Sequence, residues 1–236
     1  MTLPLLNTAP KYELTVPSTK QVVRFRPFLV KEQKVLLLAY ETQDKKQVIH
    51  AILDTVAACV VDDINVYSLT TFDIDYMFTQ IRGKSVGEKV ELVINCEECE
   101  APNDIDVDLE QINIEVEEST KVIQLTDEVS VKLKYPNYST LLGNDKFFTS
   151  ESTSEIMMEV IMACIDSIMT EEENIKIKDE PREEIEKFVE SMSSTQFAMI
   201  AEFVQTLPAM EHTIDFNCIS CGAANNRVLK GLDDFF

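Results

Sequence analysis

The sequence predicts an α+β fold, on three observations. Short runs that alternate apolar and polar residues occupy the N-terminus and the middle of the chain. Longer stretches with apolar residues three and four apart lie after the first runs and again in the last third. Two Cys-x-x-Cys pairs each stand at the end of an alternating run, one in the middle and one near the C-terminus. The expected organisation is an N-terminal strand pair with a helical region over 1–87, a β region with the first cysteine pair over 88–136 and a helical region over 137–210. A C-terminal strand with the second pair follows over 211–236 and packs back on 88–136.

The first elements are a hairpin. Tyr12–Val16 and Val22–Arg26 alternate, and Pro17, Ser18, Thr19 and Lys20 between them are turn formers. Pro27 ends the second strand because it has no N–H for a ladder. From Val30 helix formers take over, with apolar residues at helical spacing through Ala39. After the polar break at 42–46, Val48, Ile49, Ile52, Val56 and Cys59 share one side of a second helix over about 47–60. A third helix is expected from Thr70 or Thr71 to Ile81, with Gly83 as its stop. The middle predicts short strands at Lys89–Asn95, Asp104–Asp108, Ile112–Val116, Lys121–Leu125 and Val129–Lys134. A helix over 152–169 follows, whose methionines Met157, Met158, Met162 and Met169 read as core filling beside Ile and Val, with an adaptable partner groove as the competing reading. Two helices near 181–191 and 194–206 come next, and one more strand at His212–Phe216.

Charge narrows the function. Of 236 residues, 42 are Asp or Glu against 21 Lys or Arg, a formal charge of -21. Such a surface repels phosphate backbones and anionic headgroups, so nucleic acid and membrane are not expected partners. The excess is local: residues 97–128 carry 12 acids and one Lys, and residues 151–190 carry 13 acids and 4 bases. These runs read either as a solvated surface or as an electrostatic handle for a basic partner. The start lacks a basic segment followed by an apolar one, and no stretch approaches the roughly 20 apolar residues of a membrane span. A soluble protein made in a cytoplasm is expected.

The cysteine pairs carry the sharpest chemistry. Cys59 and Cys164 stand alone in apolar helical patterns and read as small buried hydrophobes. Cys96-Glu-Glu-Cys99 and Cys218-Ile-Ser-Cys221 each follow a strand, and two intervening residues let a tight turn aim both thiolates at one ion. Together they predict a split zinc-ribbon-like element that joins residues near 96–99 and 218–221. It would hold one structural zinc ion per chain through Cys96, Cys99, Cys218 and Cys221. Thiol redox chemistry and unligated or disulfide-paired cysteines are the competing readings. No catalytic constellation accompanies them. His50 and His212 lack a nucleophile in a motif, and five scattered glycines build no phosphate loop. The chain reads as a non-enzyme without a small-molecule substrate.

Certain residues look familiar. Tyr12-Glu-Leu-Thr-Val-Pro-Ser-Thr-Lys20, Arg24-Phe-Arg-Pro-Phe28, Val30-Lys-Glu-Gln-Lys-Val-Leu-Leu-Leu-Ala39, Phe216-Asn-Cys-Ile-Ser-Cys-Gly222 and Gly231-Leu-Asp-Asp-Phe-Phe236 together resemble the T4-like bacteriophage baseplate hub assembly family. The resemblance implies a protein needed to build the hub of a contractile-tail baseplate, as minor subunit or assembly factor. Its partners would be phage baseplate hub proteins, and its place the host cytoplasm during assembly or the virion tail baseplate. An unrelated acidic zinc-ribbon adaptor, for example in transcription, is the alternative.

The resemblance also gives the N-terminal segment a use. Arg24 and Arg26 alternate with Phe25 and end at Phe28, a mixture of guanidinium groups and rings of the kind enriched at interface hot spots. Arg24, Arg26 and Phe28 are therefore candidate partner-binding residues. The competing expectation is that the rings are core and the arginines pair with the protein's own acids and carbonyls. Phe235 and Phe236 are candidates as well, either as a docking peptide or as a packed C-terminus.

Overall fold

The computed structural model describes residues 9–112, 114–116 and 120–235. It is mixed helix and sheet, as the sequence predicts, and falls into two compact units. One holds residues 9–66, 72–115 and 209–235; the other holds 67–71 and 116–208. Among the described residues no helix is long and apolar enough to cross a membrane.

The first unit opens with an antiparallel hairpin of β1 (Tyr12–Thr15) and β2 (Val22–Phe25). Its turn is tied down by Asp73, which is fully buried and accepts hydrogen bonds from the Ser18 backbone N–H at 2.8 Å and the Ser18 hydroxyl at 2.5 Å. Helix α1 (Val30–Glu41) and helix α2 (Lys45–Cys59) follow, the second capped by the Asp44 carboxylate, which accepts from Lys46 and Gln47 N–H. The end of α2 returns to the hairpin, where Arg26 N–H donates to Cys59 O at 3.0 Å and Val61 N–H donates to Arg24 O at 2.9 Å. Helix α3 (Thr71–Val86) starts where expected but does not stop at Gly83. A Cβ there would meet Leu109 at ordinary contact distance, and the helix runs on to Gly87, whose φ of 150° ends it.

Two further hairpins complete this unit: β3 (Lys89–Asn95) with β4 (Pro102–Asp108), and a second described below. The strand expected at Ile112–Val116 does not form. Leu109–Gln111 is a 3-10 turn held by the Asp108 carboxylate, and the described residues Ile112 and Ile114–Val116 are irregular. Asn113 lies outside the described residues.

In the second unit β5 (Thr120–Gln124) and β6 (Ser130–Lys134) continue into the sheet order β5-β6-β7-β8, antiparallel throughout. Two short helices, α4 (Tyr138–Leu142) and α5 (Asp145–Thr149), precede helix α6 (Thr153–Cys164). Here the helix expected over 152–169 is corrected. The chain leaves α6 at Cys164 and enters β7 (Ile165–Met169) without a loop, then returns as β8 (Asn174–Lys176). The run from 156 to 169 is apolar on helical and alternating templates alike, and Val131↔Ile168 and Lys132↔Ser167 pairing to β6 decides between them. Helices α7 (Arg182–Glu190) and α8 (Ser194–Gln205) finish the unit, α8 with a Ser193/Gln196 capping box. Its core gathers Ile123, Val131, Leu133, Ile161, Met162, Ile165, Val189, Ile200 and Phe203, with Met157 and Met158 packed against it, so these methionines fill core.

The chain then re-enters the first unit as β9 (Glu211–Asn217) and β10 (Ala224–Lys230). The sequence predicts one strand here, because Ala224-Asn-Asn-Arg227 offers no apolar alternation; its ladder to β9 supplies what the side chains do not signal. Val90, Ile94, Val107 and Leu109 from the middle form one buried cluster with Met210, Ile214, Leu229 and Phe235 from the end.

Candidate metal centre

The two cysteine pairs occupy the tips of the β3–β4 and β9–β10 hairpins and are built alike. Cys96 N–H donates to Ala101 O at 2.9 Å, and Cys218 N–H donates to Ala223 O at 2.8 Å. Glu100 N–H and Gly222 N–H close the turns onto the Cys96 and Cys218 carbonyls. Each closing residue has a left-handed backbone, φ 58° at Glu100 and 74° at Gly222, a conformation glycine takes freely and glutamate adopts at a cost. Inside each turn an N–H points at the first sulfur: Glu98 N–H to Cys96 Sγ and Ser220 N–H to Cys218 Sγ, both 3.4 Å.

These turns bring all four sulfurs within 4.8 Å of one another. Cys96 Sγ lies 3.7 Å from Cys221 Sγ, and Cys99 Sγ lies 3.6 Å from Cys218 Sγ. All four cysteines are free. A tetrahedral ion with metal–sulfur bonds of about 2.3 Å sets its sulfurs about 3.8 Å apart, close to both distances. A disulfide would need about 2.05 Å. The first cysteine of each pair is buried and the second exposed, so the cluster is open to an entering ion from one side.

The turns and the neighbouring sulfurs set the thiols apart from one another. The Cys218 thiol is pushed down to about 6, chiefly by the Cys221 N–H and then the Ser220 N–H. The Cys99 thiol is drawn down by Ala101 N–H, but hydrogen bonding to the Cys221, Cys218 and Cys96 sulfurs, with desolvation, drives it up to about 12. Four sulfurs this close cannot all be thiolates without a positive centre, so without one the cluster keeps protons. Cys59 and Cys164 behave as buried hydrophobes, their thiols raised by burial to about 11 and about 12.

The other candidate residues are placed as follows. Arg24 is half-exposed and makes a bidentate pair with Asp62, 2.6 Å at the closest. Arg26 turns inward and donates to Glu32 Oε1, Ala58 O and Pro27 O, each at 2.9 Å. Phe28 is partly buried and lines a cleft of about 320 Å³ with Leu37, Tyr40, Phe78 and Val86. Phe235 is fully buried in the hairpin cluster, so of its two expected places it takes the packed one. Phe236 lies outside the described residues. Two residues passed over in the sequence, Asn103 and Asn225, reach the knuckle backbones. A signal for them was present, since each is the fourth residue after the second cysteine of its pair.

Comparison with known proteins adds identity to this geometry. The family described as T4 bacteriophage base plate protein matches residues 9–236. The chain is also similar to the baseplate hub assembly protein gp26 of Enterobacteria phage T4. The two are 18% identical over 229 residues, which is 96% of this chain and 98% of that protein. No solved structure matches. Both knuckled hairpins and the described residues of both units fall inside the matched span, and the chain belongs to the T4 bacteriophage base plate protein family.

Proposed function

We propose that this protein assembles the baseplate hub of a phage tail through protein–protein contacts, without catalysis. One zinc ion held by Cys96, Cys99, Cys218 and Cys221 would serve as a structural brace. The observation that carries the assembly role is the match to a hub assembly protein across nearly the full length of both chains. Family membership leaves the transcription-adaptor alternative without support. The zinc reading rests on the sulfur spacings and on a closed set of four thiols that leaves no position for a substrate.

Partner contact is supported by α1. Only Glu32, Leu36 and Ala39 of its twelve residues are buried, while Val30, Val35, Leu37, Leu38 and Tyr40 are exposed. Five large apolar side chains left exposed on one helix form a patch of the kind that another surface covers. Arg24, at its approach, and Phe28, in the cleft beside it, belong to the same region, with Lys31 and Lys34 on the helix itself. Its apolar side chains beside Lys31 and Lys34 suit an apolar partner segment with acidic flanks. Arg26 and Phe235 enter this reading as supports of the fold, and Phe236 as a candidate partner contact.

The test is a phage lacking this gene. It should accumulate tails without baseplate hubs and be restored by the wild-type chain supplied in trans. Normal hubs in its absence would refute the assembly role. Proteomics of purified particles then separates hub subunit from assembly factor.

A further inference from the structure

The nine residues Asn95-Cys96-x-x-Cys99-x-Ala101-x-Asn103 recur as Asn217-Cys218-x-x-Cys221-x-Ala223-x-Asn225. Registers repeat as well, Asn95 opposite Pro102 and Asn217 opposite Ala224. Within each hairpin the second asparagine Nδ2 donates to the turn alanine carbonyl, Asn103 to Ala101 O at 2.8 Å and Asn225 to Ala223 O at 2.9 Å. Its Oδ1 does something the hairpin does not need: it crosses to the other one. Asn103 Oδ1 accepts from Ile219 N–H at 2.9 Å, and Asn225 Oδ1 accepts from Glu97 N–H at 2.9 Å. Ile219 and Glu97 are equivalent residues, each directly after the first cysteine of its pair. Both asparagines are buried, at 1% and 5% exposure.

We propose that Asn103 and Asn225 are the positioning residues of the thiol cluster, a reciprocal pair that docks the two knuckles face to face before any metal arrives. The proposal rests on the metal reading given above. The chemistry selects asparagine. A carboxamide presents an acceptor and a donor in one rigid plane, so a single side chain can hold its own turn and the opposite turn together. Aspartate keeps the acceptor and loses the donor, and leucine loses both. Loss of either asparagine removes the acceptor of an N–H on the opposite knuckle. The pair is also unequal. Asn225 Nδ2 lies 3.6 Å from Cys96 Sγ, whereas Asn103 Nδ2 makes its further contact with Ile94 O at 3.3 Å. Only Asn225 thus touches a sulfur and tunes the electron density it gives to a metal.

The experiment uses the full chain and Co²⁺ alone as the metal probe. Asn103→Leu and Asn225→Leu should each weaken Co²⁺ binding about 10- to 100-fold, the range for residues that orient ligands. Asn225→Leu alone should move the sulfur-to-cobalt charge-transfer band. Wild-type affinity in both variants would overturn the proposal. Diamide oxidation of the metal-free proteins gives a second readout. Wild type should form the cross-hairpin disulfides Cys96–Cys221 and Cys99–Cys218, and the leucine variants should form fewer; equal yields would overturn the brace. A wild type that binds no Co²⁺ yet shows this difference refutes the metal reading and leaves the brace standing. Should the leucine variants not fold, Asn103→Asp and Asn225→Asp keep the crossing acceptor. They should retain wild-type disulfide partners, and scrambled partners would refute the crossing bond.

Discussion

Arg26 and Glu32 form a salt bridge of 2.9 Å whose carboxylate is 7% exposed and whose second oxygen accepts the Leu29 N–H at 2.7 Å. One glutamate therefore both starts α1 and fastens it to the end of β2. Burial alone would raise the Glu32 carboxyl; the Arg26 guanidinium, the Leu29 N–H and Lys31 outweigh it and hold the group below its usual value of 4.5. The two arginines of the segment are then not equivalent, contrary to their like appearance in the sequence.

Arg26→Ala should destabilise the protein by about 3 kcal/mol, the low end for stranding a buried charge because Arg26 keeps 20% exposure. Arg24→Ala, at an exposed pair, should leave thermal stability little changed. A lowered folded pKa stabilises above the unfolded value and is lost as pH falls through the folded one. The stability difference between Arg26→Ala and wild type should consequently be largest near neutral pH and shrink as pH falls through the lowered Glu32 value. A difference that does not change with pH, from urea unfolding followed by circular dichroism, would contradict this.

Metal removal is the second expectation. Elemental analysis of purified protein should give about one zinc per chain, and a chelator should lower Tm because site formation is coupled to folding. Binding should release protons, since Cys99 is raised to about 12 in the metal-free cluster. Calorimetry in buffers of different ionisation heat measures that release. A chelator-insensitive Tm together with no proton release would dismiss a structural ion.

The exposed face of α1 gives the third. Leu37 and Leu38 are 57% and 52% exposed, so Leu37→Glu with Leu38→Glu should change stability by no more than about 0.5 kcal/mol each. The double variant should fail to restore hubs to the gene-deleted phage, while Val228→Glu, equally exposed on β10, should succeed. Full complementation by the α1 variant would remove this helix from the interface.

The acidic turn between β7 and β8 supplies the fourth. Glu171, Glu172 and Glu173 are all exposed. If they steer a basic hub protein, changing all three to Gln should slow association at low salt and leave dissociation nearly constant. Biosensor traces against purified hub proteins check this; an unaltered association rate would return the turn to a role in solubility.

Much of this was legible in the residues, and the misses share a cause. β1 to β4, α1, α2 and the convergence of four cysteines follow from local pattern and spacing. Ile165–Met169 was not legible as strand, because its apolar run satisfies two periodicities and only pairing to β6 selects one. β10 was not legible because Asn225 and Asn226 are there for hydrogen bonding and Arg227 for an ion pair with Glu97, rather than for burial alternation. Arg26 could not be separated from Arg24 without the Ala58 carbonyl, 32 residues away, which turns its guanidinium inward.

The first unit is interrupted by the second, and 118 residues separate Cys99 from Cys218. At roughly 5–20 residues per second, a ribosome takes roughly 6–24 s to travel from one knuckle to the other. For that interval the β3–β4 hairpin exists with two thiols, half a buried cluster and an unanswered Asn103, while everything needed to fold residues 116–208 is already emerging. The early half must wait for the late half, so the joined hairpins act as a seal that only a chain translated through Asn225 can close. A prematurely terminated copy would carry α1 on a first unit that has not closed, marked for proteolysis before it could occupy a place in an assembly.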